Sequence, residues 1–164
     1  MARLGSPYWS GSVYRRVVEW THLASVRGGH DIWVHHCSLA SDADGLIDLT
    51  KGTGDVTISW NKFSDHDKVM LISANDADTE DAATGVNLHH NWFKQTTQRH
   101  PCIRHGKLHA YNNFIDRWQS YGMGCSTNSE CYSERNVFQA DFYAYTADST
   151  TGLAEVIQAG AGVR

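Results

Sequence analysis

The chain has 164 residues, enough for one domain of ordinary size, and 41% apolar with 20% charged residues, a balance that excludes disorder. Its formal net charge of −4 leaves no basic footprint for nucleic acid, and no window nears the ~20 apolar residues of a membrane-spanning helix. Met1–Ser12 carries Arg3 with no apolar run behind it, so no signal peptide is expected.

Taken from the N-terminus, residues 1–27 show some apolar alternation in VYRRVVEWTHL but no convincing repeat, and are expected to be irregular or capping. The clear repeats run over residues 28–139. Five segments share one pattern: IWVHHCSL from Ile32, VTISWNKF from Val56, VNLHHNWF from Val86, LHAYNNFI from Leu108 and CYSERNVF from Cys131. Their aligned positions Cys37, Asn61, Asn91, Asn113 and Asn136 lie 24, 30, 22 and 23 residues apart. Each segment alternates at period two, which predicts a strand with one buried face. Ile32 and Val34, Val56 and Ile58, and Val86 and Leu88 should point inward, with Trp33, Thr57 and Asn87 outward.

One such strand per 22–24 residues suits a solenoid of parallel strands, and no Asn-Gly pair offers a hairpin turn. Asparagines held in one register are expected to bond each other's amides from turn to turn. The acidic stretch NDADTEDAAT (Asn75–Thr84) reads as the loop behind the 30-residue interval. Residues 140–164 are weakly periodic, and predict a short helix near Thr151–Gln158 or a frayed tail. The expectation is a single all-β domain over 1–164 with about five to seven rungs.

Four cysteines, Cys37, Cys102, Cys125 and Cys131, allow three pairings and show no CxxC spacing. Cys125 and Cys131 could close a small loop in an oxidising compartment, and four free thiols are the alternative. The pairs His35/His36 and His89/His90 resemble metal ligands, but neighbours on a strand face opposite sides and should not share one ion. Trp33, Trp92 and Trp118 would pack loops or offer faces to sugar rings, with core packing the default.

The polar motifs are more pointed. DADGLID sets Asp44 and Asp48 four apart, and carboxylates clustered on a rigid turn are what calcium requires. SDHDK puts Lys68 twenty residues after Asp48, about one rung on. QRHPCIR brackets Pro101 with Arg99 and Arg104. Two arginines and a lysine near a cation form a receptor for carboxylates.

The motifs IWVHHCSL, DGLIDLTKG, VTISWNKFSDHDKVML, VNLHHNWF, QRHPCIRHGKLHAYNNF and ERNVF together resemble the pectate lyase family of secreted polysaccharide lyases. The resemblance implies an all-β, right-handed single-stranded parallel β-helix. It further implies calcium-dependent β-elimination of α-1,4-linked polygalacturonate, with Ca2+ as cofactor and pectate polysaccharide as partner. In that reading Asp44 and Asp48 are calcium ligands, Lys68 and Arg104 contact substrate carboxylates, and Arg99 is the base that removes the C5 proton. An arginine base needs nearby cations to disfavour its protonated form, which implies an alkaline optimum. A secreted monomer that binds neither nucleic acid nor membrane is expected. A β-helix that binds acidic polysaccharide without cleaving it is the alternative. The family's calcium acid from the region before residue 30 has no clear counterpart here, and His35 stands where an acid is usual.

Overall fold

Period-two segments spaced by about two dozen residues can bury their apolar faces only by stacking on one another, and the computed structural model, which describes residues 24–140 and 156–160, has that architecture. In chain order the strands are β1 (Ala24–Arg27), β2 (Ile32–His35), β3 (Ser38–Ala40), β4 (Gly45–Thr50), β5 (Val56–Ser59), β6 (Lys62–Ile72) and β7 (Gly85–His89). They continue as β8 (Trp92–Gln98), β9 (Cys102–Tyr111), β10 (Phe114–Trp118), β11 (Met123–Glu134), β12 (Val137–Ala140) and β13 (Val156–Gly160), with a 3-10 turn at Thr79–Ala83 inside the acidic loop. Every pairing is parallel. No helix among the described residues is long and apolar enough to cross a membrane.

The strands form three faces of a parallel β-solenoid. On the first, β2, β5, β7 and the second halves of β9 and β11 stack in one register, from Ile32 through Val56, Val86 and Leu108 to Cys131. The second face carries β3, the start of β6, β8, β10 and β12. The third carries β1, β4, the end of β6, the first parts of β9 and β11, and β13. Ile58, Leu88, Phe63, Phe93, Ile47, Ile72 and Ile103 fill the interior with no exposed surface. Phe63 and Phe93 lie stacked with centroids 4.8 Å apart.

The expected amide ladder is present. Asn61 Nδ2 donates to Asn91 Oδ1 at 3.1 Å, Asn91 Nδ2 to Asn113 Oδ1 at 3.0 Å, and Asn113 Nδ2 to Asn136 Oδ1 at 2.9 Å. The same oxygens accept from the backbone N–H of the preceding rung, beginning with Cys37 to Asn61 at 2.9 Å. Just before each ladder position one residue turns the chain with positive φ: His36, Trp60, His90, Asn112 and Arg135. A left-handed tryptophan is costly. Here its ring is stacked on His90 at 4.6 Å and lies parallel to His36 at 6.1 Å, so neighbouring rungs hold the conformation.

That turn overrides one expectation. Because His36 and His90 leave the extended region, strict alternation ends and each pair comes together, with Nδ1–Nδ1 distances of 3.0 Å for His35/His36 and 2.8 Å for His89/His90. Three other differences are local. Trp118 is buried, whereas Trp33 and Trp92 are exposed. Ala24–Arg27, within the segment expected to be irregular or capping, form β1 against β4. Val156–Gln158, expected as part of a short helix or frayed tail, lie in β13, where pairing with the edge of β11 outweighs weak local propensity; residues 151–155 lie outside the described residues. Cys125 and Cys131 are joined by a disulfide, and Cys37 and Cys102 are free thiols.

Candidate active site

Where the second face bends into the third, Ser41 and Asp65 turn with positive φ, and the Ser41 hydroxyl donates to the Asp65 carbonyl at 3.4 Å. The two bends wall a cleft of about 390 Å³ lined by Ser41, Asp42, Ala43, Asp44, Asp65, His66, Asp67 and Lys68. Lys68 Nζ donates to Asp44 Oδ1 at 3.4 Å, each side chain a little over 40% exposed. His66 Nε2 bonds the Asp44 carbonyl, and Gln98 Nε2 donates to Asp67 Oδ1 at 3.1 Å. Asp42 Oδ1 accepts from the Ala43 N–H at 2.8 Å, while its Oδ2 is buried with no hydrogen-bond partner.

Asp48 lies four residues beyond Asp44 on β4, only 6% exposed, opposite Ser25 on one side and Leu71 on the other. Burying a carboxylate is costly without compensation by hydrogen bonds or opposite charge. The oxygen-only donors here, Asp44, Asp48 and the orphaned Asp42 oxygen, have the hardness that calcium selects. Among the described residues no group of three or more His, Cys, Asp or Glu side chains is arranged to hold a metal ion. The donor type is the one a hard divalent cation takes, but among the described residues these acids would supply only part of its usual six to eight oxygen positions.

The register next explains Arg99. Lys68 pairs with Gln98 and Leu71 with Cys102. One strand thus advances three residues (68 to 71) while its neighbour advances four (98 to 102), a one-residue bulge that re-aims the local side chains. Arg99 occupies this bulge at φ 64°, with its carbonyl accepting from the Met70 N–H at 3.0 Å. The following His100–Pro101 peptide is cis.

His100 anchors the turn. It is fully buried, its N–H and Nδ1 both donate to the Gly122 carbonyl, at 2.9 and 2.8 Å, and its Nε2 accepts from the Thr96 hydroxyl at 2.7 Å. Burial lowers its pKa to about 4 against the two backbone carbonyls of Gly122 and Tyr121 that favour the charged form, so the ring is neutral at physiological pH with the proton on Nδ1. Gly124 N–H donates to the Pro101 carbonyl at 2.9 Å. The Tyr121 hydroxyl sits against Cys102 and Arg99; burial chiefly raises its pKa, Cys102 adds to this, and Arg99 opposes it.

Arg104 lies 30% exposed two residues beyond Cys102, with Nη1 donating to the Ser73 carbonyl at 3.4 Å and Nε 3.6 Å from Asp76 Oδ1. Asp76 is fixed in turn by the Thr127 hydroxyl at 2.6 Å. The fold thus brings Asp44 and Lys68 into contact and sets Asp48, Arg99 and Arg104 on the same and adjoining rungs of the third face. Asp65 and Asp67, the supporting His100 and Tyr121, and the Arg104 partner Asp76 were not singled out from sequence. His100 and Tyr121 acquire their roles from residues about one rung away, so no local motif marks them.

Comparison with known proteins gives one consistent result. The sequence model of a family described as pectate lyase matches residues 13–152. Pectate lyase 4 of Ambrosia artemisiifolia is 40% identical over 121 residues, covering 73% of this chain and 30% of that protein. A pectate trisaccharide-lyase of Thermotoga maritima is 43% identical over 106 residues, 63% of this chain and 27% of that protein. Among solved structures, pectate lyase II from Xanthomonas campestris superposes with a TM-score of 0.62 at 31% identity, covering 68% of this chain and 38% of that one. The chain spans less than a third of the length of these two curated relatives.

Proposed function

The chain belongs to the pectate lyase family, and from that premise we propose that it is a secreted, calcium-dependent lyase that cleaves polygalacturonate by β-elimination. Arg99 takes the proton from C5 of a galacturonate residue, the freed electron pair closes a C4=C5 double bond, and the C4–O4 bond breaks. The departing oxygen takes a proton from solvent, so the products are a shortened chain and an unsaturated uronide. Lys68 and Arg104 hold uronate carboxylates, which position C5 against Arg99. For Arg104 this means sharing or displacing its contact with Asp76.

Asp44 and Asp48 would hold calcium, with Asp42 close by. When bound, calcium supplies positive charge that acidifies the carbon next to a uronate carboxylate and stabilises the negative charge that develops there. His100 works at one remove, fixing the turn that carries Arg99 without adding charge to it.

The observation that carries the reading is the register linking Gly45 to Lys68 and Lys68 to Gln98, which brings the acids of DADGLID, Lys68 and the bulge at Arg99 onto three successive rungs. The test is incubation with polygalacturonate and calcium at alkaline pH while following the ultraviolet absorbance of unsaturated uronides. Product that requires calcium supports the reading. Binding without product would leave a polysaccharide-binding β-helix in its place.

A further inference from the structure

Around the bend from the cleft, the outer side of the second face carries a column running from the half-buried Lys62 through the exposed Trp92 and Phe114 to Val137, each opposite the next in register. Trp92 is 38% exposed, Phe114 36% and Val137 58%, an apolar stripe on a solvent-facing strand surface. Such a stripe normally marks an interaction site. Lys62 Nζ lies 5.4 Å and Lys94 Nζ 5.6 Å from the centre of the Trp92 ring. Among the described residues no carboxylate lies within ion-pair distance of either ammonium, whereas Lys51, Lys68 and Lys107 are each paired. Asp116, beside Lys94 in register, is engaged by Arg117 at 3.2 Å.

Two cations without carboxylate partners among the described residues, around one exposed indole on a chain whose net charge is −4, call for an anionic ligand with an apolar ring face. We propose that Lys62, Trp92 and Lys94 form a second polyuronate-binding site, separate from the cleft, in which a uronic-acid ring packs on the indole while its carboxylate and that of a neighbouring residue of the polymer pair with the two lysines. The site rests on the pectate reading of the chain for its ligand, and on its own residues for its place. Lys62 stands three residues before the bend at Asp65 and six before Lys68 on the same strand. A polymer held there is kept close to the cleft, which raises the local concentration of cleavable chain.

The test is native affinity electrophoresis in gels containing polygalacturonate, with neutral galactan gels as control, on the whole chain and two variants. The cleft variant Lys68→Ala/Arg99→Ala should remain retarded by polygalacturonate. The surface variant Lys62→Gln/Lys94→Gln, which alters only solvent-facing side chains, should lose about tenfold in polymer affinity, and adding Trp92→Ala should deepen the loss. Retardation should weaken with salt and be absent in galactan. Unchanged retardation of the surface variant, complete loss in the cleft variant, equal retardation in galactan, or no retardation of the parent chain would each overturn the second site. Product formation by the parent chain, measured separately, tells a failed second site from a failed lyase reading.

Discussion

Beside Arg99, a fully buried imidazole donates from Nδ1 to Gly122 and accepts at Nε2 from Thr96, so its hydrogen bonds are complete only when it is neutral. With a folded-state pKa of about 4 against an ordinary 6.5, the unfolded chain takes up the proton first as pH falls. Stability from His100 is therefore whole above pH about 6.5 and declines between about 6.5 and about 4, by about 3 kcal/mol in all. Thermal unfolding midpoints across that window should fall more steeply for the parent chain than for His100→Gln. Parallel slopes would remove His100 from the account. Arg99→Ala should lower turnover by at least about a hundredfold, the usual lower range for a general base, with the far-ultraviolet circular dichroism unchanged. Lys68→Ala should act mainly by raising KM, since in the proposed mechanism it removes a substrate-carboxylate contact and not the base.

At the scale of elements, the turn between the first two faces is held by side-chain amides. Asn91 has the fullest set of bonds: Nδ2 donates to Ile58, His89 and Asn113, and Oδ1 accepts from the Asn61 N–H and Nδ2. Asn91→Ala leaves buried backbone groups on two rungs unsatisfied and should cost about 2–4 kcal/mol by urea denaturation. Phe63→Ala, which empties a stacked position in the interior, should cost about 3–5 kcal/mol. The outer histidines give a second pH effect. Burial first, and then His90 and His109, lower the His89 pKa, so its contribution is also present at neutral pH and lost on acidification. The ladder was legible because one asparagine per rung shares a register with an apolar alternation. The meeting of His35 with His36 and of His89 with His90 was not, because alternation presumes extended backbone and the positive φ before each ladder position is fixed by stacking from neighbouring rungs.

At the scale of the molecule, rungs from β1 to β12 share one interior, and the cleft belongs to the corner between two faces and not to any single strand. This explains what sequence could and could not supply. Asp44, Lys68, Arg99 and Arg104 fall in motifs whose spacing matches the rung length, so their order along the axis was readable. The bulge at Arg99, the support by His100 and Tyr121, and the pairing of Arg104 with Asp76 arise from contacts between rungs, for which no local pattern exists. If Asp44 and Asp48 hold calcium in the folded chain, saturating calcium should raise the unfolding free energy, by about 2.7 kcal/mol at one hundred times the dissociation constant. A chelator should reverse the gain, and Asp48→Asn should abolish it.

The central claim is that Arg99, set beside a calcium-dependent carboxylate receptor, removes the proton that starts β-elimination. Its most direct test is the initial rate of unsaturated uronide formation from polygalacturonate at alkaline pH, for the parent chain and Arg99→Ala, each with calcium and with chelator. The account predicts product from the parent chain with calcium alone, and none above background from the other three. Equal rates for parent chain and variant, or turnover that survives the chelator, would contradict it.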